Sequence, residues 1–380
     1  MNPSDNRYLN NPPRRVLIVL LGAIGDVVRA LPLLGRIRRA WPAAHIAWAV
    51  EPKSLPVLER HPWLDELIVH DRRRAPWSFA PFLRRIRRGR FDLALDLQRH
   101  LKSGLISLVS GAPDRMGFAA ANAKEWNHRF STRRIAPQPR MRLKLTQYQA
   151  FAEALGLPPA PIEFGLALGP DEAARALAPL EGLARPLLGV ILGSSWPSRI
   201  YFPEAVAAVI RKLAAPDGGP GFTPILIGGP EDAPLGAAVM RELGASMARD
   251  LTGRTSLRDL IAIFGACAAA FGPDCGPMHI AAAAGCPIVS LWGSTAPERS
   301  APWGYAHLAM RGAIPCHPCY LRECPIGREC MRRIAPDEVA AMVRRARAER
   351  LAEAGGHANG METATTVATP GAVAAAERSR

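Results

Sequence analysis

The chain has 380 residues and a mass of 41.0 kDa, with 48% hydrophobic residues, enough for two domains with cores of their own. No apolar run approaches the ~18 residues of a membrane-crossing helix. The polar first residues hold no signal-peptide core, so the sequence predicts a cytoplasmic chain without a transmembrane segment.

The net charge of +15 is concentrated early: residues 1–170 carry 27 Lys and Arg against 13 Asp and Glu, the rest 21 against 20. Such a field draws nucleic acid, an anionic membrane face or an acidic substrate. Aromatics make up only 6% and no aromatic-interleaved basic module appears, which argues against sequence-specific nucleic-acid binding.

In chain order the first half alternates strand-like and helix-like segments. Strands are expected at 16–21, 45–50, 67–70 and 91–97, and helices at 26–40, 55–60, 79–88, 101–110 and 143–155. Pro32 is expected to kink the first helix or confine it to its early turns. A Pro-rich stretch to Pro186 reads as a connection with one short helix. The second half repeats the alternation, with strands at 187–192, 224–227, 268–271 and 288–291. Its helices are expected at 203–214, 235–243, 256–266 and 278–284, and a last one at 337–351. The expected layout is a disordered 1–14, a Rossmann-like domain over 15–165, a linker over 166–186 and a second Rossmann-like domain over 187–335. A C-terminal helix over 336–354 and a disordered tail over 355–380 follow. Alternation of this kind builds parallel sheets with ligands at the carboxyl ends of the strands.

Two turns carry chemistry. Phe271-Gly-Pro-Asp-Cys-Gly-Pro-Met-His279 stops a strand and aims a helix N-terminus, with Pro277 early in it, above the sheet. Its unpaired N–H groups and positive dipole end suit a diphosphate. Gly276, Met278 and His279 offer the donors there. An ordinary strand-to-helix turn is the bland alternative. Near the start, Gly22-Ala-Ile-Gly25 leads to Asp26, which by type also suits a helix N-cap. Its glycine spacing is not the dinucleotide fingerprint, so no cofactor is expected.

Those two turns and a tail motif, Cys316-His-Pro-Cys319 to Cys324 and Cys330, stand in an order that resembles glycosyltransferase family 9, the heptosyltransferases of lipopolysaccharide core assembly. The likeness runs from about Arg15 to Leu351. It implies the GT-B fold, an α/β architecture of two Rossmann-like parallel-sheet domains facing across a cleft. It also implies inverting, metal-independent transfer from an ADP-heptose donor to an anionic glycolipid acceptor, by a monomer working peripherally on the cytoplasmic face of the inner membrane.

By the resemblance, Asp26 is the catalytic base, with Gly25 beside it on the acceptor side. Ser194 and Ser195 match the family's hydroxyl pair near the phosphates. Arg199 supplies a cation for the leaving group, in a register that departs from the family's Lys before Trp-Pro. Asp232 matches a ribose-binding position, with a helix N-cap as the alternative. Thr255 and Leu257 line the adenine pocket. Asp274 fixes its turn through backbone N–H groups or binds a sugar hydroxyl, and Cys275 stands where the family usually has Thr. Arg99, Lys102 and Arg115 are candidates for gripping the acceptor, with solvated basic faces as the alternative. The four tail cysteines read as reduced thiols packing a loop, a labile disulfide or, less readily, a zinc site. A family relative moving another activated sugar, or a non-catalytic nucleotide- or nucleic-acid-binding protein, stays open.

Overall fold

The computed structural model describes residues 8, 11–71, 73, 78–214, 221–244 and 246–362, with side chains to residue 352. The first lobe comprises β1 (Arg15–Val19), α1 (Ile24–Ala40), β2 (His45–Val50), β3 (Glu66–Val69), α2 (Phe79–Arg88), β4 (Leu93–Asp96), α3 (Leu101–Ser110), β5 (Asp114–Gly117), β6 (Arg133–Arg134) and α4 (Lys144–Ala154). Its strands are all parallel, in the order β3-β2-β1-β4-β5-β6. Val16, Leu17, Ile18 and Val19 are fully buried. Helices cover both faces of the sheet, so the strand reads as one apolar run without alternation.

The second lobe opens with α5 (Pro170–Leu177), the short helix expected in the connection. It continues with β7 (Leu187–Ile191), α6 (Pro203–Ala214), β8 (Thr223–Ile227), α7 (Ala233–Leu243), β9 (Arg249–Asp250), α8 (Asp259–Ala266), β10 (Ala269–Pro273), α9 (Gly276–Ala283), β11 (Ile288–Trp292), β12 (Ala309–Arg311) and α10 (Pro336–Glu362). Its parallel sheet runs β12-β11-β10-β7-β8-β9, the same doubly wound order read from the other edge. In each lobe the order reverses between the first and fourth strands: β1 and β4, then β7 and β10. A crevice opens at such a switch point. The turns after these four strands carry Asp26, Arg99, Ser194 and Asp274, so topology alone gathers them.

Several expectations need correction. The α1 helix runs through Pro32 to Ala40; Val27, Val28, Leu31, Leu33, Leu34 and Ile37 are fully buried on both sides of it, and that packing outweighs the lost hydrogen bond. The N-cap of α1 is Ala23, not Asp26, which lies in the first turn. Tyr8 falls in the segment expected to be disordered, yet it is buried. Its hydroxyl donates to Asp114 Oδ2 at 2.7 Å and its ring meets Trp41 edge-on at 5.6 Å; an apolar body with a polar tip finds both partners at the foot of the sheet. The rest of 1–10 lies outside the described residues. The last helix continues to Glu362, past the expected stop at 354. Its alanines favour helix strongly enough to carry it through Gly355 and Gly356; the remainder of the tail, 363–380, lies outside the described residues.

Candidate active site

The head of α1 meets the head of α9. A Cβ at Gly25 would stand 2.6 Å from His279 Cδ2, and one at Gly276 would stand 2.7 Å from the Ile24 Cβ. Glycine at both positions lets the two turns touch. The carboxylate of Asp26 sits at this seam. Lys144 Nζ, from the start of α4, donates to Asp26 Oδ1 at 2.7 Å and Oδ2 at 3.0 Å, and Arg29 adds a second contact to Oδ1. Arg29 also donates to His279 Nε2 at 2.5 Å and to the Ser300 carbonyl at 3.3 Å. One guanidinium therefore ties the first-lobe carboxylate to the second-lobe imidazole.

The electrostatics follow from burial and pairing. Burial pushes the Asp26 carboxyl up, but Lys144 and Arg29 outweigh it and hold the group well below the usual carboxylate range. Burial lowers the Lys144 ammonium to about 8, opposed by Asp26 and helped by Arg29 and Arg299. Burial and then Arg29 push His279 well below its ordinary value, so the ring is neutral and its Nε2 accepts rather than donates.

On the second-lobe side, the first turn of α9 leaves the Gly276 and Met278 N–H groups without helix partners, and Pro277 has none. Asp274 is buried. Its Oδ2 accepts from Thr295 Oγ1 at 2.6 Å and pairs with Arg199 at 3.2 Å. The turn is thus held by side chains where backbone donors were expected. Arg199 also lies 4.0 Å over the Trp196 ring. Ser194 Oγ donates to the Asp274 carbonyl at 2.8 Å, and Ser195 is exposed. Asp232 Oδ2 accepts from the Gly229 N–H at 2.8 Å and lies against Gly193, where a Cβ would meet it at 2.0 Å. Asp232 makes no side-chain cap bond to α7. Burial raises its carboxyl, with Lys53 of the first lobe opposing. Thr255 and Leu257 are half-buried, Leu257 against the core. Cys275 is buried and its thiol is pushed up to about 12.

On the first-lobe side, Arg99 stacks 3.8 Å from the Phe118 ring centre and donates to Gln147 Oε1. Lys102 pairs with Glu51 at 3.2 Å. Arg115 is occupied elsewhere: its Nε and Nη1 donate to the Phe130 and Ala112 carbonyls at 2.9 and 2.7 Å, a backbone brace. Arg99 borders an interlobe cleft of about 800 Å³ with Lys124, Arg140, Gln147, Trp196 and Arg299. Among the described residues four cations line it and no carboxylate does. Arg29, Lys124, Lys144, Arg140 and Arg299 were not singled out from sequence. Arg29 had a signal, its i,i+3 spacing from Asp26; Lys144 lies 118 residues away and had none. The seven cysteines are all unpaired, and no group of three or more His, Cys, Asp or Glu is placed to hold a metal ion among the described residues.

Comparison with known proteins gives the family and the fold. The glycosyltransferase family 9 (heptosyltransferase) profile matches residues 80–329. Lipopolysaccharide heptosyltransferase 1 of Pseudomonas aeruginosa is 28% identical, covering 82% of this chain and 87% of its own. Lipopolysaccharide core heptosyltransferase OpsX of Haemophilus influenzae is 26% identical over 77% of this chain and 82% of its own. Among solved structures, ADP-heptose lps heptosyltransferase II of E. coli superposes with a TM-score of 0.71 at 22% identity, over 88% of this chain and 99% of that one. A family 9 glycosyltransferase from Veillonella parvula gives 0.73 at 22%, over 88% and 97%. Two parallel-sheet lobes in the GT-B arrangement meet at the heads of α1 and α9, and the profile match over residues 80–329 shows that the chain belongs to glycosyltransferase family 9, the heptosyltransferases.

Proposed function

We propose that the chain transfers heptose from ADP-heptose to the anionic inner core of lipopolysaccharide by an inverting displacement, with Asp26 as general base. The observation that carries this reading is the seam itself: an ionised carboxylate on one lobe faces a helix N-terminus on the other, with Gly25 against His279 and Gly276 against Ile24. An acceptor hydroxyl attacks the anomeric carbon, the bond to the ADP oxygen breaks, and the hydroxyl proton passes to Asp26. The α9 N–H groups and Arg199 meet the charge growing on the leaving diphosphate. Charge supplied by the chain itself supports a metal-independent mechanism. Arg99, Lys124, Arg140 and Arg299 suit the acidic sugars or phosphates of the acceptor.

Lys144 and Arg29 lower the proton affinity of Asp26. They also hold it ionised and oriented. A lipid-linked acceptor supports work at the cytoplasmic face of the inner membrane; no helix among the described residues is long and apolar enough to cross it.

The test is Asp26→Asn, scored by product mass with ADP-heptose and a truncated core lipid. Turnover falls by ~10²–10⁴-fold while calorimetry still detects ADP binding. Full activity in the variant would remove Asp26 from the base role. Equal binding of ADP, UDP and GDP would remove heptose as the sugar.

A further inference from the structure

The α3 helix buries Ser103, Ile106, Ser107 and Ser110 and turns its other face outward. That outward face carries Leu101, Leu105 and Leu108, each 40–45% exposed. The spacing i, i+4, i+7 makes them one continuous ridge. Beside the head of α3 lies Trp126, 70% exposed. It is presented by a left-handed backbone (φ 56°) and positioned by the neighbouring Glu125, whose Oε2 accepts from the Leu101 N–H at 3.0 Å. Exposed cations flank the ridge: Lys124 and Arg129 on the same segment as Trp126, with Arg140 across the cleft mouth. The ridge thus runs to the edge of the cationic cleft through Lys124.

Leucines in a row, an indole beside them and a cationic rim form the pattern of a surface that lies in a bilayer interface. We propose that the α3 ridge with Trp126 is the surface by which the protein docks on an anionic lipid bilayer, bringing the cleft mouth to the membrane plane. This deepens the lipid-linked acceptor reading above and rests on it. The leucines enter the acyl boundary, the indole sits at head-group level, and Lys124 and Arg129 pair with anionic head groups. The negative potential of an anionic leaflet draws such cations to it. Leucine burial and charge therefore act together, and the binding is salt-sensitive.

The experiment is co-sedimentation of the full chain with phosphatidylglycerol/phosphatidylethanolamine vesicles and with pure phosphatidylcholine vesicles. Two variants are compared with the parent, Leu105→Glu/Leu108→Glu and Trp126→Ser. All these side chains are exposed, the leucines by less than half, and matching melting curves confirm folding. The parent binds the anionic vesicles and releases with salt; each variant binds at least about tenfold more weakly. Turnover on a deacylated, water-soluble acceptor stays at the parent level in both variants. Parent-like vesicle binding by both variants overturns the docking surface. So does a parent that elutes as a dimer and becomes monomeric in Leu105→Glu/Leu108→Glu, which assigns the ridge to a second copy of the chain. Absence of turnover by the parent on the deacylated acceptor would instead strike the transferase reading, whatever the vesicles show.

Discussion

Gly25 and His279 face each other across the two lobes so closely that a single added methyl at Gly25 would press on the imidazole ring. The same imidazole accepts from Arg29, which grips Asp26. The seam between lobes and the candidate base are therefore one mechanical unit. Gly25→Ala forces the helix heads apart or the ring aside, a clash of the size that costs about 1–3 kcal/mol. The expected result is a loss of kcat/KM of about 10-fold or more, together with a melt lowered by a few degrees. In a His279→Ala background the same substitution costs less than about threefold, because the ring is gone. A double-mutant cycle measured on kcat/KM checks this non-additivity.

Lys144 is buried beside Asp26, with its ammonium lowered to about 8. Below that pH its charge holds the Asp26 carboxyl down; above it the charge is lost and Asp26 gains proton affinity. The parent pH–rate profile is expected to inflect near pH 8. In Lys144→Met that inflection disappears, and the acid limb moves to higher pH because Asp26 keeps only Arg29. A profile unchanged by the substitution would dissociate Lys144 from the base.

Arg199 is expected to be the donor-side cation that matters most. It pairs with Asp274 at 3.2 Å and stacks on Trp196, which fixes it near the head of α9. Arg199→Ala removes a charge-assisted contact worth about 1.5–3 kcal/mol. ADP binding by calorimetry then weakens by about 10- to 100-fold. The unfolding midpoint falls too, since Asp274 is left buried without its cation.

His61 lies buried under the first lobe, its Nε2 at 3.0 Å from the Phe164 carbonyl. Burial lowers it to about 4; the Phe164 bond opposes the shift and Arg258 adds to it. A histidine depressed from 6.5 to about 4 binds its proton in the unfolded chain first. Stability is therefore fully present above pH 6.5 and falls as the pH drops toward 4, by about 3 kcal/mol for this group. His279 adds to the loss in the same direction. Thermal melts between pH 7 and pH 4 should show the decline, and His61→Gln should flatten it.

Much of this molecule was legible in its residues. The expected ranges of α2, α3 and α6 coincide with the observed ones, because apolar periodicity is clean there and Pro or Gly marks the ends. The inner strand β5 and the edge strands β6, β9 and β12 were not anticipated. Asp114-Arg-Met-Gly117 and the pairs Arg133–Arg134 and Arg249–Asp250 are too short and too polar to show a period, and exist only by pairing with a finished neighbour.

The site divides in the same way. The turns after β1 and β10 announced themselves through glycine, proline and a carboxylate, since helix heads have local chemistry. The cations around them did not. Arg115 looked like a ligand and is a brace, whereas Lys144 looked like one of many surface charges and touches the candidate base. Which arginine is free and which is bound to a carbonyl is decided by tertiary contacts, and composition is blind to that.

Arg29 reaches Asp26, His279 and the Ser300 carbonyl with one planar group. Any parting of the halves to admit a nucleotide must pull that guanidinium from the imidazole while it stays on its own helix beside the carboxylate. With the lobes in contact, the carboxylate therefore shares its counter-ion with the opposite lobe's imidazole.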